Sequence, residues 1–211
     1  MVTGISVVTT CYNERTNLQQ LIPRIRTILQ DTPHEIIVVD DSSPDGTLQV
    51  AEELADLAVS KKREGQTKGL AHGMHLAKYD TIITIDSDLE NNPKWIPKLA
   101  SELADSDILV ASRTSLPRIS ERIFSKLYRK ELGVHDILSN YRAYRRSIIP
   151  DITPTKGETF GAEFLIRAHK KGYRITEIMV EPEPRRSKPR IGNMITANLR
   201  ILTALVRTLL V

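Results

Sequence analysis

The chain has 211 residues, 27% of them charged and 40% hydrophobic, and a single cysteine. That length buries a core without covalent staples, and one cysteine excludes a disulfide framework or a cysteine-based zinc site. Thirty Lys and Arg against 26 Asp and Glu leave a formal charge of +4. Such mild basicity suits small anions or a membrane surface. With 5% aromatic residues, stacking platforms for nucleic acid are scarce, and no nucleic-acid partner is expected.

Residues 5–9 (ISVVT) read as a buried strand. Leu18, Leu21, Ile22, Ile25, Ile28 and Leu29 then recur at helical spacing, with Pro23 marking a start or a kink. Residues 35–40 (EIIVVD) form a second strand, and a helix is expected from the Asp45-Gly46-Thr47 turn to about residue 57. A helix over 69–77, a strand over 81–85, a helix over 93–103 and a strand over 107–111 follow. The last third is less regular. It holds a helix near 120–132, a segment at 141–146, a helix near 162–170, a strand at 175–180, and a Pro- and Arg-rich loop over 181–192.

Short buried strands alternating with helices predict an α/β fold with a mostly parallel central sheet flanked by helices. Ligands of such sheets bind beyond the carboxyl ends of the strands. Polar clusters stand at four of those ends: Asn13-Glu14, Asp40-Asp41, Asp86-Ser87-Asp88 and Ser112-Arg113. One acidic pair could be a helix cap, whereas four convergent clusters point to a site. Alternate carboxylates in Asp86-Ser87-Asp88 can meet one hard cation, with Glu90 as a third ligand. Mg²⁺ retains waters and favours sites that substrate phosphates complete. An isolated Asp-x-Asp could equally serve the turn before Pro93.

Several strings carry a family resemblance: Tyr12-Asn13-Glu14, Val38-Val39-Asp40-Asp41-Ser42-Ser43-Pro44-Asp45-Gly46-Thr47, Lys68-Gly69-Leu70, Ile85-Asp86-Ser87-Asp88-Leu89-Glu90-Asn91-Asn92-Pro93 and Ala111-Ser112-Arg113. Together they resemble family 2 glycosyltransferases of the GT-A fold, and most of all the dolichol-phosphate mannose synthase branch. The segment from Asp136 to Arg146, and Phe160, Glu163, Ser187 and Lys188, are similar to later motifs of that branch.

The resemblance implies an inverting, metal-dependent transfer of a sugar from a nucleotide-diphosphate sugar to a polyprenyl (dolichyl) phosphate, with Mg²⁺ or Mn²⁺ as cofactor. It implies that Tyr12 and Glu14 hold base and ribose, and that Val39 and Asp41 contact the base. Asp86, Ser87 and Asp88 would face the donor diphosphate and its metal, with Glu90 assisting. Arg113 and Arg122 would bind the acceptor phosphate, so that Asp88, Arg113 and Arg122 form the catalytic set. Arg186 and Lys188 would belong to a loop closing over the donor. Thr10, Cys11, Asn140 and Gly161 depart from the family pattern, and Gly161 stands where relatives carry Gln or Lys.

A phosphate acceptor is already anionic near neutral pH and needs cations rather than a general base. Asp136 could orient an arginine or act as an acceptor-side base. Two other readings stand beside this one: a family 2 transferase acting on a saccharide or other soluble acceptor, which would require a base, and a catalytically silent nucleotide-sugar-binding module. A nucleotidyltransferase would want a Gly-rich loop near the first strand, and residues 9–16 contain no Gly.

The N-terminus does not resemble a signal peptide, and no charge-free apolar stretch is long enough to span a bilayer. The expected organisation is a transferase domain over 1–192 and an amphipathic C-terminal helix over 193–211. That helix is basic and apolar, and could lie in a membrane interface or dock on a membrane-embedded partner. Alternatively, it could pack on the core. The expected location is cytoplasmic, peripheral on the membrane face. His72 and His75 are expected to face solvent, and His34, His135 and His169 to lie at the surface.

Overall fold

The computed structural model describes residues 4–152, 154 and 160–181. Its seven strands are β1 (Ile5–Cys11), β2 (His34–Asp40), β3 (Leu57–Ser60), β4 (Thr81–Thr84), β5 (Ile108–Arg113), β6 (Arg142–Arg145) and β7 (Ile175–Val180). The helices are α1 (Arg15–Ile28), α2 (Thr47–Leu54), α3 (Gln66–Leu76), α4 (Ile96–Glu102), α5 (Ile119–Leu132) and α6 (Phe160–Lys170). The strands form one sheet in the order β3-β2-β1-β4-β6-β5-β7. Only β6 runs antiparallel to its neighbours.

Alternation along each strand sends successive side chains to opposite faces. Val8, Ile37 and Val39 pack with Leu70, Met74, Phe124, Tyr128 and Leu165 beneath α3, α5 and α6. Val7, Ile36 and Val38 pack with Leu18, Leu21, Ile25, Val50 and Leu99 beneath α1, α2 and α4. Both faces are covered, which is why these strands read as unbroken β-branched runs.

The expected α/β layout and most elements are present, with two differences. The helix expected to reach residue 57 stops at Leu54, and β3 follows as an edge strand. Asp56 enforces this break. Its carboxylate accepts from Ile36 N–H at 2.8 Å, and its own N–H bonds Ile36 O at 3.0 Å. That pair pulls the chain into the sheet edge. Residues 141–146, which the sequence marks only as a segment, contain β6, inserted between β4 and β5. Pro23 lies inside α1.

The topology locates the crevice. From β1 the chain builds β2 and β3 on one side, then returns to lay β4 against the other side of β1. The carboxyl ends of β1 and β4 therefore flank a topological switch point, where open α/β sheets bind ligands.

Candidate active site

Three loops at the strand ends hold residues in left-handed backbone: Asn13 (φ 55°), Ser42 (φ 62°) and Leu89 (φ 66°). Such conformations cost about 1–3 kcal/mol each and persist where surrounding contacts impose them. Here the contacts are visible. Asn13 N–H donates to Ser43 Oγ at 2.9 Å, Ser42 Oγ donates to Lys61 O at 2.7 Å, and Ser87 Oγ donates to Thr10 O at 2.9 Å. The last bond ties the Asp86-Ser87-Asp88 segment to β1.

Asp41 is the anchor of the β2 end. Its carboxylate accepts from Lys61 Nζ, and from Glu64 and Gly65 N–H at 2.9 Å each. Burial alone would raise its pKa, but Lys61 and the two N–H groups bring it below the usual carboxylate range. The turn it organises places the Arg63 guanidinium 3.9 Å from the centre of the Tyr12 ring. Glu14 is buried, with its backbone N–H on Thr47 Oγ1 at 2.9 Å and its carboxylate accepting from Asn17 Nδ2 at 2.5 Å. Tyr12, Glu14 and Asp41 thus stand on the first two strand ends, as expected. Val39 does not join them. It is 0% exposed, and its side chain packs in the core under α3. The sequence pairs it with Asp41, but Val39 lies within β2, on the face that α3 covers, whereas Asp41 lies beyond the strand's end.

Asp86 is half-buried. Gln66 Nε2 donates to its Oδ1 at 2.6 Å and Asn91 Nδ2 to its Oδ2 at 3.3 Å. Its carboxyl is pushed up to about 7, first by burial and then by the neighbouring Asp88 charge, with Glu90 adding to the rise; Gln66 and Arg113 oppose it. Asp88 accepts Glu90 N–H at 3.1 Å, which fixes the turn. A carboxylate crowded by like charge is stabilised by a cation. Asp86 and Asp88 therefore fit an all-oxygen site for Mg²⁺ or Mn²⁺. The expected third ligand, Glu90, does not close a cage: among the described residues, no three His, Cys, Asp or Glu side chains gather to hold an ion. An open, two-carboxylate site leaves positions for diphosphate oxygens and water.

Arg113, at the end of β5, is bound by two acids. Its Nε and Nη2 donate to Asp136 Oδ2 and Oδ1 at 2.5 and 3.2 Å, and Nη2 also donates to Glu121 Oε1 at 3.3 Å. Its charge still acts on Asp86. Arg113 is thus a fixed cation whose charge reaches the acidic segment. Of the two roles open to Asp136, the structure favours orientation: its carboxylate is 1% exposed and held on Arg113.

Immediately after Arg113 a cavity of about 620 Å³ opens between residues 114–117 and α5. Arg122, Lys126, Arg129, Lys130 and His135 line it. Arg122 is placed there by an Nε–H bond to Leu116 O at 2.9 Å. Of the two expected phosphate cations, Arg122 lines this cavity and Arg113 does not. Arg186, Lys188 and the whole of 193–211 lie outside the described residues.

Several residues of the site were not singled out from sequence: Gln66 and Asn91 on Asp86, Lys61 and Arg63 at the first strand ends, and Lys126, Arg129 and Lys130. Only the last three carried a signal, the recurrence of cations with Arg122 at helical spacing. Gly161 has a steric reason: a Cβ there would meet Arg142 Nη2 at 2.9 Å and the carbonyls of Ile137 and Leu138 at 3.0 Å. His72 and His75 are exposed as expected, while His34 and His135 are half-buried, with hydrogen bonds to Thr32 O and Ser125 Oγ.

Residues 6–155 match the family described as Glycosyl transferase family 2. A dolichol-phosphate mannosyltransferase of Pyrococcus furiosus is 39% identical over 115 residues, 52% of this chain and 33% of that protein. An undecaprenyl-phosphate 4-deoxy-4-formamido-L-arabinose transferase of Pseudomonas fluorescens is 32% identical over 164 residues, 69% of this chain and 48% of that protein. The chain spans between a third and a half of the length of these curated relatives. Among solved structures, glucosyl-3-phosphoglycerate synthase from Mycobacterium tuberculosis with phosphoglyceric acid superposes with a TM-score of 0.80 at 23% identity, over 98% of this chain and 80% of that one. The same synthase with Mn²⁺, UDP and glucosyl-3-phosphoglycerate gives 0.78 at 22% identity, over 98% and 80%. These likenesses are of fold, and the fold is the expected GT-A architecture.

Proposed function

The chain belongs to glycosyl transferase family 2, and we propose that it transfers a sugar, with inversion, from a nucleotide-diphosphate sugar to a polyprenyl phosphate. The observation that carries this reading is the sequence of charges along one edge of the site. The acidic Asp86–Asp88 segment is followed by the fixed Arg113 cation, and then by a basic cavity that begins at Thr114. A donor diphosphate with its cation suits the first, and an acceptor phosphate suits the last. The names of the curated relatives agree with a polyprenyl-phosphate acceptor.

In this reading Tyr12, Glu14 and Asp41 shape the nucleoside side, with Asp41 acting through the turn it holds. Asp86 and Asp88 would hold Mg²⁺ or Mn²⁺ on the diphosphate, and Ser87 keeps that segment docked on β1. A bound divalent ion would neutralise charge that builds on the leaving diphosphate. Arg113, locked by Asp136 and Glu121, adds fixed positive potential on the same side. Arg122 and its neighbours would hold the acceptor phosphate, the guanidinium fork being suited to it. An acceptor phosphate oxygen forms the bond to the anomeric carbon, the bond from that carbon to the donor phosphate oxygen breaks, and the electron pair leaves with the diphosphate. No proton need be removed from the acceptor. A saccharide hydroxyl would need a base, and Asp136, the carboxylate weighed for that role, is held by Arg113. Arg186 and Lys188 are proposed for donor closure and residues 193–211 for membrane contact.

The reading is tested by incubating the protein with Mg²⁺ or Mn²⁺, a polyprenyl phosphate and a panel of radiolabelled UDP- and GDP-sugars. Label is expected in the organic phase with one donor. Label that enters only water-soluble saccharide would support the soluble-acceptor reading instead.

A further inference from the structure

Glutamate is a poor strand former, yet Glu177 stands in the middle of β7, among Ile175, Thr176, Ile178 and Met179. It is half-buried, opposite Val110 of β5. One of its oxygens, Oε2, accepts from Ser112 Oγ at 2.5 Å and from His135 N–H at 2.8 Å. Ser112 is fully buried and passes the hold on, because its Oγ accepts Asp136 N–H at 3.2 Å. The backbone N–H groups of 135 and 136 are thus both held from β7, one directly and one through a hydroxyl. A carboxylate makes short, strong bonds to such donors. The two residues so held serve different parts of the site. Asp136 grips Arg113. His135 lines the basic cavity, with Nδ1 3.3 Å from Ser125 Oγ on α5. One carboxylate on the last strand of the sheet therefore holds both the fixed cation and part of the cavity wall.

We propose that Glu177 is a positioning residue for the transfer. It sets where the Arg113–Asp136 pair stands and where His135 closes the cavity, and with them the approach of acceptor to donor. The inference rests on the polyprenyl-phosphate reading for its purpose. Glu177 acts on neither reactant directly. It acts through Ser112 and the backbone of 135–136. Without its carboxylate, Ser112 Oγ–H and His135 N–H lose their acceptor, and the turn after Gly133 is free to shift. Asp136 stays on Arg113, so the pair moves as one. A displacement of about 1 Å at such groups slows a reaction about a hundredfold.

The test compares two variants of the full chain. Glu177→Val suits the apolar strand and removes the acceptor. Glu177→Gln keeps an oxygen with two lone pairs for the same two donors. Transfer to a detergent-dispersed polyprenyl phosphate is followed at steady state with the donor that labels it. Glu177→Val is expected to lose about tenfold to a hundredfold in kcat and to raise the acceptor KM, with donor KM and melting temperature close to wild type. Glu177→Gln is expected to recover most of the lost kcat. A lower melting temperature with kcat unchanged in the folded protein would overturn the inference, as would a Gln variant no better than Val. Hydrogen exchange at Arg113 Nε–H and Asp136 N–H, read by NMR, separates this claim from the reaction. Exchange is expected to speed up in Glu177→Val whether or not sugar is transferred. Faster exchange in a protein that transfers nothing supports the hold of Glu177 on Arg113 and removes the proposed reaction. Unchanged exchange overturns the inference even where wild type transfers sugar.

Discussion

Arg113 grips Asp136 at two points, Nε on Oδ2 at 2.5 Å and Nη2 on Oδ1 at 3.2 Å, and the carboxylate between β5 and β6 is closed to solvent. The pair fixes a cation where the end of β5 meets the acidic segment after β4. A guanidinium held this way keeps its direction while charge develops beside it, which is how a preorganised site lowers a barrier.

Replacing Asp136 with Asn keeps the shape and removes the charge. Transfer rate is expected to fall about tenfold to a hundredfold, as for a misplaced catalytic group, with nucleotide affinity nearly unchanged. The acid limb of the pH–rate profile should stay where it is. Loss of that limb would instead mark Asp136 as a general base. Asp136→Ala, which leaves the half-buried guanidinium with Glu121 alone, should cost about 1–3 kcal/mol in unfolding free energy, measured by denaturant titration.

The Asp86 carboxyl, raised to about 7 by burial and by Asp88, binds its proton more tightly folded than unfolded, where it titrates near 4. Its contribution to stability is full below about pH 4 and is lost as pH rises through about 7. The metal-free protein should therefore melt lower at pH 8 than at pH 5. Asp86→Asn should flatten that difference, and Mn²⁺ with nucleotide should restore wild type at pH 8. Identical pH profiles for both proteins in chelator would contradict this account.

Asp41 acts through the loop it holds. Asp41→Ala frees Lys61 and the N–H groups of Glu64 and Gly65, and with them the Arg63 side chain that covers Tyr12. Nucleotide affinity should drop about tenfold, the scale of one charge-assisted hydrogen-bond set. Calorimetric titration reads it directly, and an unchanged affinity would remove Tyr12 and Arg63 from the nucleoside side.

Gly73 lets α3 lie directly on the sheet. A Cβ at that position would meet Val8 Cγ1 at 2.5 Å and Val39 Cγ2 at 3.0 Å. Gly73→Ala should destabilise the fold by about 1–3 kcal/mol through overpacking, although alanine favours the helix. A rise in melting temperature would show that the helix can move away from the strands without cost.

The layers of the fold were legible because both faces of the sheet are covered: β1, β2 and β4 each hold adjacent Ile or Val residues at their centre, and their acids stand towards the ends. The edge strand β3 was not, because four residues, LAVS, carry no period that separates strand from helix. Its placement depends on Asp56 reaching Ile36, a contact about twenty residues apart in sequence. The acidic segment was legible by its motif. The locking of Arg113 by Asp136 and Glu121 was not, since it joins residues from three elements. The burial of Val39 was not legible, because it shares one motif string with Asp41, whereas its own side chain packs in the core under α3.

Binding of Mn²⁺ together with UDP or GDP, followed by calorimetry or by the electron paramagnetic resonance of the ion, tests the central claim most directly. The wild-type protein should bind one nucleotide with Mn²⁺ far more tightly than without it. Asp86→Asn and Asp88→Asn should each abolish that gain and leave metal-free nucleotide binding intact. If either variant keeps the metal-dependent gain, or if wild type binds both nucleotides equally well in chelator, the Asp86–Asp88 pair does not hold a cation on a diphosphate.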